Sequence, residues 1–157
     1  MKASTLRHAN DARAISIMGD VYRYLVTGAE TNGEQAVLDC VIGPGGGPPP
    51  HTHTNEDETF VVLEGRVTFL IGDKEVVAGP GTCVFAPRGQ RHRFTNREST
   101  PARFILTLSP AGLEDMFAAC GVEVPPGTTA PAPVTDEMIG KVMAACPKYG
   151  LMIEPPQ

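Results

Sequence analysis

Positive charge is scarce in this sequence. Lys and Arg number 13 against 18 Asp and Glu, a formal net charge of −5 over 157 residues. A chain of this balance lacks the basic footprint of a nucleic-acid binder, and anionic membrane surfaces would repel it. Cysteines are few: Cys40, Cys83, Cys120 and Cys146. No pair has the spacing of a zinc knuckle or a redox motif, so they read as reduced and mostly buried thiols. Long apolar runs are missing too. No stretch approaches the roughly 18 residues of a membrane span, and the opening MKASTLRHANDAR contains no apolar h-region. Neither a span nor a secretory signal is expected, and a cytoplasmic protein is. Trp is absent, no internal repeat is visible, and there is neither a Ser-His-Asp set nor a second acid–base pair.

Turn residues, by contrast, are abundant: 17 Gly and 15 Pro. The length suits one domain, residues 1–157, able to bury a core without disulfide or metal help. Eight short β-favouring runs are separated by turn signals. They are Tyr22–Val26, Ala36–Ile42, Glu58–Leu63, Arg66–Ile71, Glu75–Ala78, Thr82–Ala86, Arg91–Thr95 and Ala102–Leu108. Short strands at this density predict an all-β sandwich or barrel, with its core over about residues 20–109. Residues 1 to about 12 read as a loose polar arm, and Gly28–Glu34 as a polar turn region. An extension over about 110–157 reads differently. Leu113–Cys120 predicts a short helix, Val122–Val134 a Pro-rich extended linker, and Thr135–Ala145 a helix capped by Thr135. Its stripe of Met138, Ile139, Val142 and Met143 predicts core or dimer contact.

The residues with chemistry to offer lie between 45 and 96. His51 and His53 are two apart, so on a strand they share a face. Glu58 would point the other way on an unbroken strand, but Thr54-Asn55-Glu56-Asp57 is turn-prone and can reset the parity. His92 follows a Pro87-Arg88-Gly89 turn and opens another β-like run. Taken singly, the histidines read as surface residues and Glu58 as part of a solvated acidic turn. Taken together, imidazoles and a carboxylate are what borderline divalent metals prefer.

The frame around these residues carries more. Gly45-x5-His51-x-His53-x4-Glu58-x6-Gly65 and Gly81-x5-Pro87-x-Gly89-x2-His92-x3-Asn96 match the two motifs of the cupin superfamily at every spacing. The chain resembles that superfamily as a monocupin. The stretch from Gly45 through Gly65, with Gly19-Asp20-Val21-Tyr22 before it and Ser109-Pro110-Ala111-Gly112 after it, is similar to the single-domain relatives of quercetin dioxygenase. The resemblance implies a cupin jelly-roll (double-stranded β-helix) barrel with short C-terminal helices. It implies one divalent transition-metal ion (Fe, Mn, Ni, Co, Cu or Zn) on His51, His53, Glu58 and His92, and a C2 homodimer.

The activity so implied is a dioxygenase acting on a phenolic or enolic small molecule, with dioxygen as co-substrate. Glu58 would serve as ligand and as proton acceptor. Strand parity adds Phe60, Val62 and Phe94 as candidate pocket residues, with Tyr22 and Tyr24 at the mouth. A second class stays open: an isomerase or lyase of a sugar or keto acid, or a binding module. Arg66, Arg88, Arg91, Arg93 and Arg103 would serve it if some point inward and grip a carboxylate.

Overall fold

Strict alternation of buried and half-buried residues runs along β5 (Asp57–Glu64) and β10 (Ala102–Ser109), the mark of strands with one face on a core. On β10 the inward set is Ala102, Phe104, Leu106 and Leu108, all essentially without solvent exposure. In the computed structural model, which describes residues 4–154, these strands belong to a two-sheet jelly-roll barrel. The remaining strands are β1 (Ala14–Ile17), β2 (Asp20–Val26), β3 (Ala36–Ile42), β4 (His51–His53), β6 (Val67–Ile71), β7 (Lys74–Ala78), β8 (Cys83–Ala86), β9 (His92–Thr95), β11 (Val122–Val124) and β12 (Leu151–Ile153). One sheet runs β11-β1-β2-β3-β10-β5-β8 and the other β12-β4-β9-β6-β7, and every pairing is antiparallel. A stack of rings from Phe60, Phe69, Phe94 and Phe104 fills the space between the sheets, with neighbouring centroids 5.1–5.9 Å apart.

The extension departs from its sequence reading. α2 (Leu113–Cys120) and α3 (Asp136–Ala145) form as expected, and the Thr135 hydroxyl accepts the Met138 N–H at 3.2 Å. Between them, however, Val122–Val124 is strand β11 on the edge of β1, not linker. Beyond α3, β12 pairs with β4. Both are three residues long, too short for a periodicity to show, and both are strands only because a distant partner is there. Gly28–Thr31 is a single helical turn, α1, closed by Glu30 accepting from the Thr27 N–H at 2.9 Å. The N-terminal arm is not loose from Thr5 onward. Arg7 donates to the Leu25 carbonyl at 2.7 Å and pairs with Glu30 at 3.0 Å. Residues 1–3 of that arm lie outside the described residues. Among the described residues no helix is long and apolar enough to cross a membrane.

The outer face of the larger sheet holds a buried ionic knot. Asp39 on β3 accepts from Arg23 on β2 and from Arg103 on β10, the latter at 2.7 Å. Burial opposes ionisation of Asp39, but the Arg103 and Arg23 guanidinium groups outweigh it and hold the carboxyl below its ordinary range. Asp39 is 1 % exposed and Arg23 3 % exposed, so removing the carboxylate leaves Arg23 buried beside Arg103 without its counter-charge. Breaking a buried pair in this way costs about 3–5 kcal/mol. Asp39→Asn is therefore expected to lower unfolding free energy by that order at pH 7. The depressed pKa sets the sign with pH. The contribution is complete above the ordinary carboxylate pKa of about 4 and is lost as pH falls toward the folded value. Denaturant titrations should show the gap between wild type and variant narrowing below about pH 4. A gap that is constant or widens there counts against this role of Asp39.

Candidate metal centre

The chain resets its parity where the sequence allows it. Residues 54–56 break the strand between β4 and β5, and Glu58 comes back to the face of His51 and His53. His92 enters from β9, directly opposite His51 in the ladder. Gly89 in the turn before it donates its N–H to the His53 carbonyl at 2.7 Å. The neighbouring Arg88 clasps Asp57 through backbone and guanidinium N–H groups at 2.8–3.1 Å. Asn96, fully buried, donates to the Ile42 and Thr100 carbonyls and ties the end of β9 to β3. At Gly47 φ is +114°, and a Cβ there would run into the Phe94 carbonyl, so only glycine lets the lead-in to β4 lie against β9.

All four side chains are buried, and one donor atom from each lies within 4.8 Å of the others. The three imidazoles are oriented from behind. His51 Nδ1 meets the Pro49 carbonyl at 2.9 Å, His92 Nδ1 meets the Gln90 carbonyl at 2.9 Å, and His53 Nδ1 meets Glu56 Oε1 at 2.6 Å. An acceptor at each Nδ1 places a proton on that atom and turns Nε2 inward, where it can share a proton with Glu58 or, once deprotonated, offer a lone pair to a cation. Glu58 Oε2 lies 2.6 Å from His92 Nε2 and 3.3 Å from His53 Nε2. The second contact lacks hydrogen-bond geometry, and His53 Nε2 is a buried nitrogen without a partner.

The electrostatics follow from the same crowding. Burial pushes the His51 imidazole down to about 4. Burial acts on His53 in the same direction, but the Glu58 and Glu56 carboxylates overcome it and raise it to about 10. Burial alone would raise Glu58. His53 and His92 hold it instead below the ordinary carboxylate range. A dry carboxylate facing three Nε2 atoms, each with Nδ1 fixed by an outer acceptor, is the donor set and support of a borderline divalent cation. His51, His53, Glu58 and His92 thus fit a metal ion, and a six-coordinate ion would keep two further positions.

The centre opens into a cavity of about 170 Å³. Of the candidate pocket residues, Tyr22 and Phe94 are on its wall. Phe60 and Val62 are fully buried in the ring stack and beside it, and they do not reach the wall. Tyr24 shares the parity of Tyr22, but its hydroxyl is spent on the Glu114 carbonyl at 2.6 Å, away from the cavity. Most of the remaining wall comes from the extension: Leu113, Met116 and Phe117 of α2, Ile139, Val142 and Met143 of α3, and Leu151 and Ile153 of β12. None of the five candidate arginines lines it. Arg66, Arg88, Arg91, Arg93 and Arg103 instead pair on the outside with Glu98, Asp57, Glu154, Glu75 and Asp39.

Two polar residues escaped the sequence reading. Glu56 was indistinguishable from the solvated acids beside it, yet it is 3 % exposed and orients His53. Asp20 lies in the cavity wall. The geometry sets an expectation for the pair behind the centre. Glu56→Gln should weaken metal binding by about 10–100-fold without loss of fold, and His92→Ala should lower bound metal further. Metal per chain by elemental analysis, with competing chelator, checks both. Unchanged affinity in Glu56→Gln would remove its assigned role.

A family model for the cupin domain matches residues 38–108. The tetracenomycin polyketide synthase protein TcmJ of Streptomyces glaucescens is 28% identical over 116 residues, 73% of this chain and 78% of that protein. The oxidoreductase OpS7 of Beauveria bassiana is 45% identical over 49 residues, 31% of this chain but only 16% of OpS7. Among solved structures, the polyketide cyclase RemF from Streptomyces resistomycificus superimposes with a TM-score of 0.61 at 19% identity, over 94% of this chain and 96% of RemF.

Proposed function

We propose, from the cupin domain matched over residues 38–108, that the chain is a metal-dependent enzyme closing or modifying rings of an enolic or phenolic polyketide-like molecule. The observation that carries this is the pairing of a buried three-His, one-Glu centre with an apolar cavity that no Lys or Arg side chain lines among the described residues. Such a wall suits a flat uncharged skeleton. A sugar phosphate or keto acid would need cationic partners, and the available arginines face outward. The likeness to RemF, a polyketide cyclase, over 94% of this chain and the likeness to TcmJ, a polyketide synthase protein, support this reading.

A divalent metal on His51, His53, Glu58 and His92 would supply Lewis acidity toward an enol or keto oxygen. Glu58 takes the proton from the enol hydroxyl or from the carbon between two carbonyls. The walls from α2 and α3 exclude water, so the carbanion formed attacks the substrate's own carbonyl carbon instead of being quenched. In that ring closure one C–C bond forms and the attacked carbonyl oxygen takes up a proton. Loss of water then gives the ring, with no change in oxidation state.

Oxygenation of the same enolised substrate is the second reading. The resemblance to quercetin dioxygenase relatives and the short match to OpS7 favour it. A C2 dimer and a cytoplasmic setting belong to this proposal. The tail folds back onto its own barrel, so a partner would meet the exposed Val76, Val77 and Phe85 on β7 and β8. Four free thiols suit a reducing compartment. Light scattering giving a monomer mass at micromolar concentration removes the dimer.

The discriminating assay runs metal-loaded protein on poly-β-ketone and flavonol substrates with and without dioxygen. Ring closure proceeds anaerobically with loss of water, whereas oxygenation consumes one dioxygen per turnover. Absence of both, across iron, manganese, nickel, cobalt, copper and zinc, sinks the enzymatic reading. In either reaction Glu58→Gln should keep much of its metal on the three histidines and lose about 10²–10⁴-fold in turnover per bound metal. Wild-type turnover in that variant would show that Glu58 is not the base.

A further inference from the structure

The cavity has a second polar pole. Asp20, at the start of β2, is 2 % exposed and contributes to the wall, and its Oδ1 has no hydrogen-bond partner. Register places it far from the metal centre. Asp20 pairs with Ile42, and Ile42 with Ala102 at the start of β10, whereas Glu58 pairs with Leu108 near its end. The other sheet agrees. A Cβ at Gly46 would strike the Asp20 carboxyl, and Gly46 accepts the Asn96 N–H at 3.0 Å. Asn96 is four residues beyond His92, about 13 Å along an extended chain. Tyr22 and Phe94, each the next inward residue after Asp20 and His92, line the stretch between the poles.

A structural carboxyl would be satisfied by the loop it holds. Here Gly46 packs hard against Asp20 and the Gly43 and Gly47 amides answer the carboxyl in part, yet Oδ1 has no partner among the described residues, which costs stability. Burial pushes the carboxyl up to about 7, against the pull of the Gly43 and Gly47 amides. Near neutrality it can therefore both donate and accept. Among the described residues no other carboxyl on the wall lies outside the metal centre, and no Lys or Arg lines the wall beside it.

We infer that Asp20 is a specificity-determining residue that hydrogen-bonds a hydroxyl or carbonyl at the end of the substrate remote from the metal. The ligand class this selects is a fused or linked polycycle with oxygens at both ends. A single ring does not reach both poles. The inference rests on the ring-substrate reading above, and it adds which end of the molecule is recognised and by what.

Two flavonols differing only in a hydroxyl on the remote phenyl ring serve as probes, with affinities measured by fluorescence quenching. Wild type should prefer the hydroxylated probe by about tenfold, the value of one hydrogen bond. Asp20→Leu and the smaller Asp20→Ala should both lose this preference, read as the ratio of the two affinities within each protein. Asp20→Asn should keep part of it, and metal content should be equal in all four proteins. Repeating the measurement on metal-stripped protein separates the two readings: a preference that persists there and depends on Asp20 stands even if no metal chemistry is found. The inference is overturned if wild type binds neither flavonol or shows no preference, or if either apolar variant retains it.

Discussion

Three imidazoles in a dry barrel can point their Nε2 atoms at one place only if something holds each ring from the other side. Here that support is two backbone carbonyls, of Pro49 and Gln90, and one carboxylate, Glu56. Much of the local chain geometry serves these three contacts. The Pro48–Pro50 run carries the first carbonyl, the Pro87–Gln90 turn carries the second, and the break at residues 54–56 carries the acid. That break also restores the parity of Glu58, so one irregular tripeptide supplies both the outer support of His53 and the inward carboxylate. Buried lone pairs facing a buried carboxylate are costly unless a cation or a proton answers them, and this sets the affinity of the centre.

The extension completes the site in space. The barrel alone offers the metal centre and the ring stack, and α2, α3 and β12 add most of the apolar wall. β12 pairs with β4, the strand that bears His51 and His53, so the wall and the centre are joined by a ladder. The outer surface is organised by charge instead. Arginines that could have gripped an anionic substrate are committed to carboxylates on the exterior. The cavity is left to apolar contact, the metal centre and Asp20.

The strands were legible where an apolar, β-favouring run stood between turn signals, as at Ala36–Ile42 and Ala102–Ser109. They were not legible at Val122–Val124 or Leu151–Ile153, where three residues carry no period and the partner strand is remote in sequence. Parity told which way a residue points but not how deep it lies. It grouped Tyr22 with Tyr24 and Phe94 with Phe60, although only Tyr22 and Phe94 reach the cavity. The difference arises from neighbours: Glu114 captures the Tyr24 hydroxyl, and other rings cover Phe60.

In the sequence, turns and short β-favouring runs already pointed to the barrel, and two short motif blocks, through their resemblance to the cupin superfamily, pointed to His51, His53, Glu58 and His92, which the fold brings together. Only the tertiary structure decided that Glu56 is an orienting group and not a surface acid, that the tail walls the cavity, and that Asp20 is buried opposite the centre. Each of these follows from contacts between segments tens of residues apart. Burial and the loss of water there change what a carboxyl does, and composition along the chain does not record which residues lose their water.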